Sequence, residues 1–382
     1  SILGSLLLFL PLSFCLVQSD ALSSTHWPAS RYAKEAQLAA TLVAQAVQLC
    51  QAIQTPHGTT ATTYKDDDTP VTVIDYAIQA YIAARLQQEF PTDSLWAEEQ
   101  DLVSLQQQNP ILAEMVVDMI KKNFLGHQDH DAAFPQDMFE AMLQPMTSKS
   151  ETENNIQPHP QHRVWILDPI DGTQGLMNHQ EYAVGLALRD EQGDLVVGVL
   201  GNPSRRYPVM VAVQKHGIRF WHQDTWMRLE ETHDDEHHSS RSYKNWSQHQ
   251  ENYKNVFPSA NDDKATMPWN HHSTTVGRDY PPYLLSRPKN KGSPLPFGPH
   301  CPPVQLCCGS LVKYFAVARG EVAGLIQYQD HVKSWDHAPG ILCVQEAGGS
   351  VRDGLGHSVQ ITGKQFGIAK GIVACAPSTS HH

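Results

Sequence analysis

The sequence VWILDPIDGT, at residues 164–173, is the most informative segment of this chain. Its first four residues, Val164 to Leu167, are apolar and have the composition of a strand that is buried on both faces. Asp168 follows at once, where such a strand leaves the core, and Asp171 places a second carboxylate close by. Pro169 is expected to stop the ladder pairing and to stiffen a turn between the two acids.

Two carboxylates at one place repel each other strongly in a partly dry site, and a cation between them removes that cost. Gly172 permits close approach of the backbone, and Thr173 adds a hydroxyl where a helix can begin. The unpaired N–H groups of a helix start suit a phosphate. The segment therefore predicts a divalent-metal site that handles a phosphate ester. A turn with helix-capping aspartates is the alternative interpretation.

Length and charge limit the functions that are open to the chain. Its 382 residues correspond to about two domains, and the hydrophobic fraction of 41% is enough for a large core. The formal net charge of -12 argues against a nucleic acid polymer as a partner. A small phosphorylated substrate remains compatible with this charge if metal ions supply the positive charge.

The first residues have the composition of a targeting signal. Ile2 to Val17 is almost uncharged and rich in Leu and Phe, like the apolar core of a secretory signal peptide, and the small-residue rule places cleavage after Ser19. A leader over residues 1–19 would take the protein into the secretory pathway or an organelle; secretion, the Golgi lumen and a plastid all remain open. The stretch is short for a membrane span, so we expect none in the mature form, with an uncleaved signal anchor as the alternative.

Three further acidic positions share the setting of Asp168. Asp75 ends the short β-branched run Pro70 to Ile74, although capping of the next helix would also explain it. Glu98 follows the apolar run Leu95 to Ala97 directly. Asp336 lies just before a helical run. The repetition of an acid at the junction of an apolar run with a turn or a helix start strengthens the hypothesis of a shared metal site.

These segments together resemble a known family. PVTVIDYAIQ, AEE, WILDPIDGT with YAVGLAL, and WDHAPG with EAGG occur in the order found in the inositol monophosphatase superfamily of metal-dependent, lithium-sensitive phosphatases. The resemblance implies an α/β fold, an α+β layered sandwich of the sugar phosphatase type. It also implies an N-terminal α+β domain over residues 27–201 that carries the metal site. A C-terminal α/β domain over residues 202–382 would follow, with a long polar insertion at about 223–303.

The resemblance also assigns roles to individual residues. It implies two or three magnesium ions, held by the hard oxygen donors that this ion prefers. The implied ligands are Glu98, Asp168, Asp171, Asp336 and the backbone carbonyl of Ile170. Asp75 and Thr173 would orient and deprotonate the attacking water. The implied substrate contacts are Gly172, Thr173, Ser310, Lys313 and Asp336.

Within the superfamily, three segments are most similar to one branch: TPVTVIDY, SLVKY and WDHA. Enzymes of that branch remove the 3′-phosphate of adenosine 3′,5′-bisphosphate, and the same reaction is described for the sulfated relative of this nucleotide. Several positions depart from the usual pattern. Gln174 and Asn178 replace basic residues, Leu176 replaces an aromatic, and Gln327 stands where some relatives carry Arg. These changes bear on the substrate and leave the metal acids intact.

An inositol phosphate phosphatase is therefore the main alternative. A non-catalytic binding relative is disfavoured because no metal acid is missing. The sequence does not determine the oligomeric state.

Overall fold

A computed structural model describes most of the chain, including all of the residues proposed for the site. Its described residues are 30–53, 62–64, 70–99, 101–124, 162–222, 225–228, 283–285, 303–304 and 308–377. The leader and most of the polar insertion lie outside these ranges. The predictions made for those two segments therefore stay predictions.

The described residues contain seven helices. These are α1 (Ala33–Ile53), α2 (Val73–Glu89), α3 (Leu102–Gln108), α4 (Pro110–Phe124), α5 (Thr173–Met177), α6 (Leu311–Ala318) and α7 (Ala338–Glu346). The strands of the N-terminal part are β1 (Thr62–Tyr64), β2 (Pro70–Thr72), β3 (Ser94–Ala97), β4 (Val164–Asp171), β5 (Ala183–Arg189), β6 (Leu195–Gly201), β7 (Val209–Val213), β8 (Ile218–His222) and β9 (Thr225–Met227). Those that follow are β10 (Tyr283–Leu285), β11 (Pro303–Val304), β12 (Gly324–Gln327), β13 (His331–Lys333), β14 (Ser350–Asp353), β15 (Gln365–Gly367) and β16 (Ile372–Cys375).

The larger sheet has seven strands in the order β3-β4-β5-β6-β7-β8-β9. β3 and β4 are parallel, and the remaining neighbours are antiparallel. Every residue of β4 is buried, and the apolar run Val164 to Leu167 predicts this for a strand covered on both faces. Trp165 and Leu167 pack in the core formed with α1 and α2. Val164 and Ile166, which point to the opposite face, pack in the core formed with α6 and α7.

A second sheet has five strands in the order β11-β10-β12-β16-β14. β10 runs parallel to β11 and β12, whereas β16 is antiparallel to both β12 and β14. Residues of this sheet and of α6 and α7 share a hydrophobic core with one face of the larger sheet. Sheets and helices therefore alternate in layers, which confirms the predicted α/β class.

The predicted turn at Pro169 is wrong. β4 continues through Asp168, Pro169 and Ile170 to Asp171, and its pairing with β5 shifts register between the two aspartates. Such a bulge re-aims side chains at the end of a strand. The β-branched run from Pro70 to Ile74 divides between β2 and the start of α2. β2 ends at Thr72, because that residue caps α2.

The predicted domain boundary near Gly201 falls inside the larger sheet. β6 ends at Gly201 and pairs with β7, so the sheet continues across this point. The division into two domains stays a prediction.

α1 is long and apolar enough to span a membrane by length and composition alone. Ten of its side chains are buried, and nearly all of these belong to the core that covers the sheet.

Candidate active site

Asp168 is the most deeply buried acid at the end of β4. Its side chain is 0% exposed. Neither carboxylate oxygen accepts a hydrogen bond from an N–H or hydroxyl group of the described residues. A buried carboxylate without donors is costly unless a cation or a proton compensates it. The pKa of Asp168 lies well above its usual value, first because of burial and then because of the charges on Glu98, Asp171 and Asp336.

Three carboxyl groups converge at this point. Asp168, Asp171 and Asp336 each place an oxygen so that the three oxygens lie within 4.8 Å of one another. Glu98 lies outside this group of three, but its charge is the largest electrostatic contribution to the raised pKa of Asp168. β3 and β4 bring Glu98 to Asp168 because they are parallel and in register, and the N–H of Glu98 donates to Leu167 O at 3.2 Å.

This donor set fits a divalent cation. The carboxylates are hard oxygen ligands of the kind that magnesium takes. Asp168 has two buried oxygens without donors among the described residues, directly beside two other carboxyl groups. A cation there would satisfy those oxygens and neutralise the repulsion at the same time.

A second pair of predicted residues, Asp75 and Thr173, also meets. The Thr173 hydroxyl donates to Oδ1 of Asp75 at 3.0 Å and lies 3.3 Å from the carbonyl oxygen of Ile170. Asp75 is 0% exposed. Burial raises its pKa to about 6, and hydrogen bonds from Thr72 oppose that rise.

Thr72 was missed as a supporting residue. It is the N-cap of α2. Asp75 is not the cap itself but the N3 residue, whose side chain completes the capping box. Both the N–H and the hydroxyl of Thr72 donate to Oδ2 of Asp75, at 2.9 and 2.5 Å. The spacing Thr-x-x-Asp before an apolar run is a signal for this arrangement and was available in the sequence.

Gly172 provides the tight turn between β4 and α5. Its φ of 91° lies in the left-handed region, and a Cβ at this position would meet the carbonyl oxygen of Cys308 at 2.7 Å. Both facts favour glycine here. The turn keeps Ile170, Asp171 and Thr173 close to one another between the end of β4 and the start of α5.

Ser310 and Lys313, the predicted substrate contacts, lie at the start of α6. Ser310 is the N-cap, and its hydroxyl donates to Gln327 Oε1 at 3.4 Å. Lys313 Nζ donates to Gly309 O at 2.6 Å. Burial lowers the pKa of Lys313, while the charges of Asp171 and Asp336 raise it. The positive charge of Lys313 therefore lies on the edge of the acidic cluster.

A neutral network behind Asp336 was also missed. Nδ1 of the fully buried His337 lies 2.9 Å from the Tyr314 hydroxyl, and its Nε2 lies 3.5 Å from Gln327 Nε2. Burial lowers the pKa of His337 to about 3, so the ring is neutral near pH 7. No sequence pattern indicates this network, because its members come from α6, β12 and the start of α7.

The comparisons with known proteins agree with this geometry. Residues 30–382 match the Inositol monophosphatase family, so the chain belongs to that family. It is 28% identical over 337 residues to 3',5'-bisphosphate nucleotidase AHL of Arabidopsis thaliana, which covers 83% of this chain and 85% of that protein. The predicted family and the predicted class of enzyme, a phosphatase, are both confirmed.

A second relative from Arabidopsis thaliana is named putative 3'(2'),5'-bisphosphate nucleotidase, mitochondrial. It is 28% identical over 351 residues, covering 87% of this chain and 80% of that protein. Among solved structures, the chain is similar to Thermotoga maritima IMPase TM1415, with a TM-score of 0.49, 16% identity, and coverage of 90% of this chain and 92% of that one.

Proposed function

We propose that this chain is a magnesium-dependent phosphomonoesterase that removes the 3′-phosphate of adenosine 3′,5′-bisphosphate and leaves AMP. The observation that carries the proposal is the buried Asp168 carboxylate, which has carboxyl neighbours and no N–H or hydroxyl donor among the described residues. A cation is the partner that this arrangement lacks. The nucleotide substrate is supported by the names of the two relatives from Arabidopsis thaliana.

The residues that would hold two or three magnesium ions are those at the ends of β3 and β4 and before α7. They are Glu98, Asp168, Asp171, Asp336 and the backbone carbonyl of Ile170. When bound there, magnesium supplies positive charge that stabilises the attacking and leaving oxygens of an in-line displacement. The net charge of -12 is then compatible with an anionic substrate, because the local charge of the site is reversed.

Asp75 and Thr173 would act on the attacking water. The water oxygen forms a bond to phosphorus as the ester P–O bond breaks, and the 3′-oxygen leaves as an alkoxide that takes a proton from solvent. The proton of the water passes to the Thr173 hydroxyl as that hydroxyl gives its own proton to Asp75, along the hydrogen bond of 3.0 Å. A carboxyl group with a pKa of about 6 is closer to neutral pH than an ordinary aspartate, which suits a general base.

The start of α6 would contact the substrate. Lys313 offers the charge and Ser310 the hydroxyl, and both are positioned by bonds to neighbouring residues. Gly172 and Thr173 would offer backbone donors to the phosphate at the start of α5. Asp336 would contact both the metal and the substrate.

The test is phosphate release from a panel of esters by the full chain at millimolar magnesium. Adenosine 3′,5′-bisphosphate should be cleaved fastest, followed by its sulfated relative, and lithium should inhibit. Faster release from an inositol phosphate would show that the substrate is an inositol phosphate and not the nucleotide. Absence of phosphate release from every ester, with magnesium bound, would contradict the proposed enzyme.

We also propose that residues 1–19 act as a leader for the secretory pathway or an organelle. The apolar composition of Ile2 to Val17 supports this proposal, and one relative carries the word mitochondrial in its name. Fusion of these residues to a fluorescent protein tests it, and a diffuse cytosolic signal would contradict it.

A further inference from the structure

Asp171 is held by a distant part of the chain. Its carboxylate accepts a short hydrogen bond from the backbone N–H of Leu311, the first residue of α6, and the two residues are 140 positions apart. Gly309 lies just before this helix and faces the same carboxylate. The end of β4 and the start of α6 are therefore joined through one acidic side chain.

The position of Gly309 leaves no room for a side chain. A Cβ on Gly309 would lie 2.5 Å from Cγ, Oδ1 and Oδ2 of Asp171, whereas non-bonded heavy atoms prefer about 3.5 Å or more. The equal distances place the Cβ against the face of the carboxylate. The φ of Gly309 is 88°, in the left-handed region that favours glycine.

The surroundings fix this contact on both sides. Lys313 Nζ donates to Gly309 O at 2.6 Å, which holds the glycine against the first turn of α6. Asp171 is only 6% exposed, so its carboxylate cannot turn into solvent without disturbing its neighbours. A group added to Gly309 would therefore act first on the terminal atoms of Asp171, which move more easily than the backbone.

We propose that Gly309 is a positioning residue for Asp171, and that the start of α6 thereby sets the affinity of the acidic cluster for its metal. The inference rests on the proposed function for the identity of that metal. The contact itself is steric and involves Gly309, Leu311 and Asp171. Rotation of Asp171 would remove one oxygen ligand from the cluster that it forms with Asp168 and Asp336.

The experiment compares Gly309→Ala with Gly320→Ala in the full chain. Gly320 follows the other end of α6 and has a φ of 70°, and no heavy atom of the described residues lies within 4 Å of a Cβ built on it. Both substitutions impose left-handed strain on an alanine, but only Gly309→Ala displaces Asp171. Magnesium binding to the metal-free proteins is measured by calorimetry, and folding by circular dichroism.

We expect Gly309→Ala to bind magnesium at least about tenfold more weakly than the wild type, the usual effect of disturbing a group that supports a metal ligand. Gly320→Ala should bind as the wild type does. Equal affinities of the two variants would overturn the proposal. If the wild type binds magnesium but cleaves no ester, the proposed function fails, while this comparison still decides the role of Gly309.

A second measurement does not depend on how Gly309→Ala folds. In the metal-free wild type, the N–H of Leu311 should exchange slowly with deuterium because Asp171 accepts it. Asp171→Ala should speed exchange at Leu311 and leave the N–H of Arg319, which bonds to Phe315 O inside α6, unchanged. Fast exchange at Leu311 in the wild type, or no change in the variant, would overturn the proposal.

Discussion

The hydroxyl of Thr173 donates a hydrogen bond of 3.0 Å to Oδ1 of Asp75, although 98 positions separate the two residues. Oδ2 of the same carboxylate accepts two bonds from Thr72 at the start of α2. One oxygen of Asp75 is thus fixed by its own helix, and the other is presented to the turn that follows β4. Under the proposed mechanism the pair would therefore combine a held base with a hydroxyl that transfers a proton.

Thr173→Ala should reduce kcat by about a hundredfold or more, because loss of an acid–base relay typically costs that much. Thr173→Ser keeps the hydroxyl and is the matched control, so it should retain most of the activity. Phosphate release measures both, with KM and kcat determined separately. If Thr173→Ala and Thr173→Ser have the same kcat, the hydroxyl takes no part in the proton transfer.

Asp168→Asn should abolish turnover while the protein stays folded. The substitution removes the buried charge that the proposed metal requires and keeps the shape of the side chain. Magnesium should raise the melting temperature of the wild type, since a ligand stabilises the state that binds it. It should not do so for the variant. An Asp168→Asn protein with near-normal phosphate release would refute the metal assignment.

The stability difference between Asp168→Asn and the wild type should depend on pH in the absence of metal. The folded-state pKa of Asp168 is raised well above its usual value of 3.8. Its stabilising effect is therefore present below pH 3.8 and is lost as pH rises through the raised value. Asparagine has no such dependence. The melting temperature of Asp168→Asn, relative to wild type in EDTA, should increase from pH 4 to pH 8. A constant difference would contradict the raised pKa.

Arg163 should be important for stability at the other end of β4. Its guanidinium pairs with Glu35 at 2.7 Å and with Asp93 at 3.1 Å, and these two carboxylates are 8% and 5% exposed. Arg163→Ala removes the cation from both carboxylates, although Asp93 still accepts a hydrogen bond from Trp165 Nε1 at 2.9 Å. This loss should cost about 3 kcal/mol of unfolding free energy.

The control for this prediction is Arg31→Ala. Arg31 pairs with Asp190 at 3.4 Å, but its side chain is 70% exposed, so the loss should be below about 1 kcal/mol. Urea unfolding at saturating magnesium measures both variants. Equal losses would show that burial does not decide the strength of these pairs.

Particular elements show how far the sequence could be interpreted. The strand predicted from the apolar run Val164 to Leu167 is present as the first half of β4, because a continuous apolar run is stable where both faces of a strand are covered. Pro169 is typical of a turn, yet it lies in the bulged end of β4. A proline is tolerated there because the bulge needs no ladder hydrogen bond at that position.

The sequence by itself determined which acids are present and that each lies at the junction of an apolar run with a turn or a helix start, since local composition sets where a strand or helix ends. The two aspartates of β4 are close in any fold, because two residues separate them. Only the tertiary structure decided that Asp336 joins them, that Glu98 comes alongside through the parallel pairing of β3 with β4, and that α6 holds Asp171. These contacts depend on packing between elements far apart in the chain, and no local pattern records which distant backbone will face a given side chain.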